Sequence, residues 1–446
     1  MLCPGVFGKA LWSLLLLVLG AGLVEAQITK PKKDYVQLLV TASHPDRIYH
    51  VGEEARVVME AFVGGNPVEG TTLYFRHGPE MMYGSHTDSV VFRDGRAEVS
   101  LGTMGEPGFL SFDWRTKIAG KTYKDLFKVA FDPMNIKTYA RMPKDFEKFW
   151  NKTLSAAAKV PFDAKVTRMP QYDSEKSEVS LVELSVGPHG RKMFGWFSRP
   201  KDGKPHPVIF YPPGAGTKKI VPENIYSDEG FICLKVEIHG ISPLLSDEDY
   251  ARKVRPLKNY NTLGIGNRDS FYYRDVYAGC SRCVDWLTTL PDWDGRNVFV
   301  TGGSQGGALT VVTAALNPKV TAIACFYPAL NDLTAFLHQR AGGWPKYFGK
   351  YQGYASAVKD TVRVCGVLPY YDVTNFARLL KCNGFYSFGY SDDVCSPTSV
   401  WGMVNEVTAP KKVVITPSAA HWRFLETNKV SIDWLKAQIK QTAGKE

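Results

Sequence analysis

Two hydrophobic patterns divide the chain. Between residues 28 and 130, short apolar stretches alternate with polar ones. Turn formers such as Gly64-Gly65-Asn66-Pro67, Asp94-Gly95 and Glu106-Pro107-Gly108 separate segments like Ala55-Arg56-Val57-Val58-Met59, Leu73-Tyr74-Phe75 and Phe109-Leu110-Ser111-Phe112. A period of two turns one face of each strand towards a core, and strands spaced by roughly ten residues predict a small immunoglobulin-like β-sandwich over residues 27–135. No catalytic constellation falls inside it, so it reads as a spacer in preference to a binding module.

From Met142-Pro143-Lys144-Asp145 onwards the pattern changes. Residues 145–160 repeat at helical period. Fully apolar strand candidates then lie at 208–211, 231–236, 298–300, 322–326 and 413–415, with helical patterns at 273–289, 306–316 and 430–441. Continuous apolar strands alternating with helices predict a mostly parallel sheet covered on both faces, an α/β domain over residues 140–446.

A third pattern stands at the N-terminus. Lys9 precedes an almost unbroken apolar run over residues 10–24, and Val24-Glu25-Ala26 is a small-residue cleavage site. The run is shorter than the ~20 residues that a spanning helix needs, so residues 1–26 read as a secretory signal. A secreted or periplasmic protein with no membrane span after signal cleavage is expected.

Composition narrows the picture further. Of 446 residues 44% are hydrophobic and 22% charged, which excludes a disordered or collagen-like chain and supplies a large core. The net charge of +10 is scattered, its densest cluster being Lys30, Lys32 and Lys33. A nucleic-acid binder gathers its basic residues on one face, so the charge is read as solubility and no nucleic-acid partner is expected. Eight cysteines become seven when Cys3 leaves with the signal, and an odd number in a chain of this length is not a disulfide framework. Cys280-Ser281-Arg282-Cys283 has redox or zinc spacing but lies in a helical pattern without a second Cys pair or a nearby His. Neither a metal site nor a cofactor is expected.

The chemistry concentrates at Gly302-Gly303-Ser304-Gln305-Gly306-Gly307, where an apolar strand runs into Gly-x-Ser-x-Gly and a helix-forming run follows. This is the context of a nucleophile elbow: the serine occupies a strained turn, and Gly302 and Gly306 let strand and helix approach closely. No Gly-Lys-Ser/Thr follows, so a phosphate loop is excluded. A serine elbow requires an acid and then a histidine on loops after later strands. Two of the nine histidines lie beyond Ser304. His421 follows the strand at 413–416 and precedes the last helix, whereas His338 lies ahead of any acid-bearing strand and reads as structural. The loop after Phe385-Tyr386-Ser387-Phe388-Gly389 offers two adjacent carboxylates, Asp392 and Asp393, between which spacing does not choose. An oxyanion hole needs two backbone donors, one from Gln305 after the nucleophile. The other belongs to Tyr211-Pro212-Pro213-Gly214-Ala215-Gly216, where the prolines have no N–H, leaving Gly214 or Ala215; Gly214 is preferred.

Arg268-Asp269-Ser270-Phe271-Tyr272-Tyr273-Arg274 followed by Gly302-Gly303-Ser304-Gln305-Gly306-Gly307 closely resembles the acetyl xylan esterase / cephalosporin C deacetylase family. Tyr327-Pro328, Tyr371-Asp372, Gly389-Tyr390-Ser391-Asp392 and Pro397-Thr398-Ser399 continue the likeness across roughly residues 140–440. The resemblance implies an α/β-hydrolase fold, removal of small acyl groups from sugar hydroxyls, Ser304 as nucleophile, His421 as base and Asp392 as acid. Two places depart from the family pattern. Its Arg-Gly-Gln reads His239-Gly240-Ile241, and its His-Glu reads His421-Trp422.

The expected activity is a secreted serine esterase that deacetylates carbohydrate through an acyl-enzyme. Trp422, Trp344 and His239 are candidate substrate contacts, aromatic rings being suited to stacking on sugars. A serine peptidase or thioesterase on the same fold is the alternative enzyme, since fold does not fix the leaving group. A carbohydrate-binding protein with an inactive hydrolase domain is the alternative outside catalysis. The partner expected is acetylated carbohydrate, and an oligomer is compatible with the sequence.

Overall fold

The computed structural model describes residues 35–349 and 360–440. The secretory segment read at residues 1–26 lies outside the described residues. No described helix is long and apolar enough to cross a membrane.

Strands between residues 36 and 131 form two sheets. Val36–Ala42, Ala55–Val63, Asn66–Pro67 and Arg96–Gly102 make a four-stranded sheet. Ile48–Tyr49, Thr72–Pro79, Asp88–Val91, Gly108–Ile118 and Lys121–Phe131 make a five-stranded one. The period of two is realised literally: Ala55, Val57, Met59 and Ala61 are buried while Arg56 is exposed between them. Their side chains share a core with Leu73, Phe92, Phe112 and Val129, which joins the two sheets as a sandwich.

The rest of the chain is built on a nine-stranded sheet. In spatial order its strands are Lys165–Arg168, Ser177–Gly187, Arg191–Pro200, Ile232–Val236, His206–Tyr211, Trp293–Gly303, Ala322–Phe326, Asn383–Gly389 and Lys411–Thr416. The last six run parallel to one another, and the first three join antiparallel. Successive residues of the parallel strands divide between two cores. Val208, Phe210, Val298, Val300, Ile323 and Cys325 face helices Tyr273–Leu287 and Gln305–Leu316. Ile209, Phe299, Ala322, Ala324, Phe326 and Phe385 face Ile432 and Leu435 of helix Leu425–Ala437. Burial on both faces is why these strands are apolar without alternation.

One pair of strands was not anticipated, and one expected helix boundary differs from the structure. The hairpin Ser177–Gly187/Arg191–Pro200 has mixed polarity that gave no clear strand signal. The last helix begins at Leu425, five residues before its expected start, because an extended Phe424 opens it and Leu425 itself is left exposed on the surface.

Candidate active site

Four segments meet at the carboxyl ends of the parallel strands, where open α/β sheets form their ligand crevices. Ser304 follows strand Trp293–Gly303, the loop 212–216 follows His206–Tyr211, Asp392 follows Asn383–Gly389, and His421 follows Lys411–Thr416.

Ser304 adopts φ 60° and ψ −125°, a conformation costly for any residue with a side chain and therefore held by its surroundings. Its backbone is pinned on both sides: its N–H donates to the Phe326 carbonyl (3.0 Å) and its carbonyl accepts from Ala329 (3.0 Å). The turn needs glycine at two neighbours. A Cβ on Gly302 would stand 2.6 Å from the Gly306 carbonyl oxygen, and one on Gly306 would stand 2.6 Å from that of Pro212. Strand, helix and the 212–214 loop thus touch backbone to backbone.

His421 bridges the serine and an acid. Its Nε2 lies 3.0 Å from Ser304 Oγ and its Nδ1 lies 2.8 Å from Asp392 Oδ2. Asp392 is fully buried, and its Oδ1 accepts the N–H groups of Val394 (2.8 Å) and Cys395 (2.9 Å). With one oxygen occupied by backbone, the other faces the imidazole. A carboxylate at Nδ1 keeps the proton there and leaves Nε2 to accept the serine O–H. Asp393 is half-buried, and its carbonyl accepts from Lys346 Nζ at 2.6 Å. Of the two adjacent carboxylates, Asp392 is the one bonded to His421. The Ser391 N–H donates to the Ala419 carbonyl (3.1 Å), tying the acid loop to the histidine loop.

Gln305 does more than the sequence suggested. Its side chain is fully buried; Oε1 accepts from Tyr260 (2.6 Å) and Tyr273 (2.8 Å), while Nε2 donates to the carbonyls of Gly214 (3.2 Å) and Pro213 (3.5 Å). The residue that follows Ser304 therefore tethers the loop carrying Gly214. Tyr260 also accepts the Gly216 N–H at 3.2 Å. Burial pushes the Tyr273 hydroxyl well above its ordinary pKa, so it remains a donor.

His239 lines the outer side of this loop, but both ring nitrogens are engaged within the protein. Nδ1 lies 2.7 Å from the Tyr272 hydroxyl and Nε2 lies 3.0 Å from the Gly216 carbonyl. Burial lowers its pKa and favours the neutral ring, with Nε2 donating to Gly216 and Nδ1 facing the Tyr272 hydroxyl, which also donates to the Ile238 carbonyl at 3.1 Å. His239, a candidate substrate contact, thus also supports the 214–216 loop. Beneath it, Glu237 accepts N–H groups from Phe194, His239, Gly240 and Ile241, and burial pushes its carboxyl up to about 7.

Trp422 is 44% exposed beside His421 and meets the exposed Phe424 edge to face, centroids 4.6 Å apart. The Tyr327 ring lies 4.8 Å from that of His421. Trp344 is half-buried against the main core, its carbonyl accepting the N–H of Leu330, next to the Ala329 that bonds Ser304. His338 lies away from this cluster, stacked on Tyr139 at 4.0 Å. The seven described cysteines are free thiols. Cys395 is buried against Ser304, and burial beside Asp392 pushes its thiol well above the ordinary value.

Sequence reasoning missed several of these neighbours. Tyr272 and Tyr273 were visible only as a motif, Tyr260 gave no signal, and the tether made by the Gln305 side chain was unforeseen. The N-terminal sandwich, expected to be a spacer, reaches the same loops: Lys128 Nζ donates to the Asp392 carbonyl (2.6 Å) and Arg47 to that of Pro417 (3.0 Å).

Known proteins are similar to this chain in sequence and in fold. Residues 126–438 match the family model described as acetyl xylan esterase. The acetyl esterase Axe7A of Xylanibacter ruminicola is 38% identical over 439 residues, 97% of this chain and 97% of that one. The solved acetyl xylan esterase from Paenibacillus sp. R4 superimposes with a TM-score of 0.60 at 21% identity, covering 68% of this chain and 98% of its own. Acetyl xylan esterase 1 from Thermoanaerobacterium sp. JW/SL YS485 gives 0.57 at 19% identity, covering 69% and 98%. At those identities the two structures establish the fold, that of the α/β-hydrolases.

Proposed function

The chain belongs to the acetyl xylan esterase family, and on that premise we propose that it is a secreted serine esterase removing acetyl groups from polysaccharide or oligosaccharide hydroxyls. The observation that carries the mechanism is the chain of hydrogen bonds from Ser304 through His421 to buried Asp392 on a strained elbow.

In this reading Ser304 Oγ attacks the acetyl carbonyl while His421 Nε2 takes its proton, which makes a poor nucleophile competent. Asp392 fixes the tautomer and stabilises the imidazolium without taking the proton itself. The carbonyl oxygen becomes an oxyanion held by the N–H groups of Gln305 and Gly214. Removing one such donor costs on the order of 10²–10³ in kcat, so these two amides are a large share of catalysis. His421 then protonates the departing sugar oxygen, leaving acetyl-Ser304. Water, deprotonated by the same imidazole, releases acetate and restores the serine. Trp422 and Phe424 offer exposed rings on which a sugar can stack beside the reacting ester. The apolar segment at residues 10–24 supports export.

The test is acetate release from acetylated xylan and from p-nitrophenyl acetate by wild type and Ser304→Ala. Release from both by wild type, lost from both in the variant, is expected. Release from the nitrophenyl ester alone would contradict the carbohydrate substrate and favour another ester, thioester or peptide. Release unaffected by the substitution would contradict the mechanism.

A further inference from the structure

The sandwich is not merely attached to the hydrolase; it supplies a buried ion pair to the loop that carries the acid. Lys128, in strand Lys121–Phe131, and Glu80, just after strand Thr72–Pro79, are paired with their side chains 1% and 2% exposed. Charges so buried are tolerated only when their remaining hydrogen-bonding capacity is used. Here the hydrolase supplies the partners. Lys128 Nζ donates to the carbonyl of Asp392 itself at 2.6 Å. Glu80 Oε2 accepts from Ser396 Oγ (3.0 Å), the Thr398 N–H (3.1 Å) and Thr398 Oγ1 (2.6 Å). Ser396 caps helix Pro397–Asn405 through the Ser399 N–H (3.2 Å), so the pair grips the acid loop at Asp392 and at the start of the helix that ends it. Arg47 of the same sandwich donates to Pro417 on the histidine loop.

We infer that Lys128, with Glu80, is a positioning residue for catalysis: the N-terminal sandwich sets the register of the acid against His421. The inference rests on reading Asp392 as the catalytic acid. Lys128 bonds the main chain of the residue whose carboxylate orients the imidazole, with no flexible segment between. Displacements of about 1 Å in such supports cost on the order of 10²-fold in rate. Without the ammonium, Glu80 loses its ion-pair partner and the loop loses its fixed point at Asp392, while the pocket lined by Gly214 and His239 makes no contact with the pair. The loss should therefore appear in kcat and not in KM.

The test is a double-mutant cycle on the full chain with p-nitrophenyl acetate. Lys128→Met should lower kcat by about 10–100-fold with KM changed less than about threefold. In an Asp392→Asn background the same change should have almost no further effect, because residues acting as a unit are not additive. An equal loss in both backgrounds would overturn the inference, since a general weakening of the fold does not depend on Asp392. So would unchanged kcat in folded Lys128→Met. If that variant does not fold, Thr398→Val, which removes one bond to Glu80 and keeps the ion pair, is read by the same criteria with a smaller expected loss. Full activity in Asp392→Asn alone would instead refute the triad reading, which separates the two failures.

Discussion

Replacing Gln305 with methionine removes a tether while leaving the proposed oxyanion donor, its own backbone N–H, in place. The backbone N–H of residue 305 is retained and the side-chain length is nearly unchanged, but bonds to Tyr260 (2.6 Å), Tyr273 (2.8 Å), Gly214 (3.2 Å) and Pro213 (3.5 Å) are lost. The two phenols lie close enough, ring centroids 6.3 Å apart, to turn towards each other. One hydroxyl proton is then left without its buried acceptor, at a cost of about 1–3 kcal/mol in stability. The Gly214 carbonyl meanwhile loses the bond that holds its loop against the helix. Deleting an oxyanion donor outright costs on the order of 10²–10³ in kcat, and a displaced donor should cost less, about 10–100-fold. Urea unfolding measures the first quantity, and steady-state hydrolysis of p-nitrophenyl acetate measures the second. A variant destabilised as expected but with wild-type kcat would refute the claim that Gln305 positions Gly214, and would reduce its side chain to core packing.

Two further predictions concern the surroundings of the site. Burial raises Glu237 to about 7, above its unfolded value, so its stabilising contribution is complete in acid and is lost as pH rises. Wild-type stability should fall by about 3 kcal/mol between pH 4.5 and 7 from this residue, and Glu237→Gln should flatten that slope in urea titrations; an unchanged slope counts against it. Trp422→Ala removes half of the exposed pair beside His421. It should raise KM for acetylated xylo-oligosaccharides several-fold and leave p-nitrophenyl acetate kinetics nearly unchanged; equal effects on both substrates would argue that the indole shapes the triad instead of the sugar site.

The parts of this site that could be read from sequence are those whose chemistry is local. The elbow was legible because a strained serine between backbone-packed elements demands small residues at fixed offsets, which Gly302 and Gly306 provide. His421 was legible because few histidines follow Ser304 and the histidine must lie on a loop after a late strand. The choice between Asp392 and Asp393 was not local: the residues are adjacent and spacing did not separate them, the family resemblance pointed to Asp392, and the fold places that carboxylate against His421 and the Asp393 carbonyl against Lys346. Long-range support was invisible for the same reason. Nothing in the alternating strand around Lys128 indicates that its ammonium ends at a carbonyl 264 positions away. The sandwich strands and parallel strands were readable from period and continuity, whereas the mixed-polarity hairpin at Ser177–Gly187 and Arg191–Pro200 obeys neither pattern.

In the proposed mechanism Ser304 carries the acetyl group between sugar and water. Its most direct measurement is mass spectrometry of the enzyme quenched in acid during turnover of p-nitrophenyl acetate, with the modified peptide located by digestion. One acetyl group is expected on Ser304, present during turnover, gone when the substrate is exhausted, and absent from Ser304→Ala. Acetate released at the wild-type rate by Ser304→Ala, or acetyl found on another residue in its place, would contradict it.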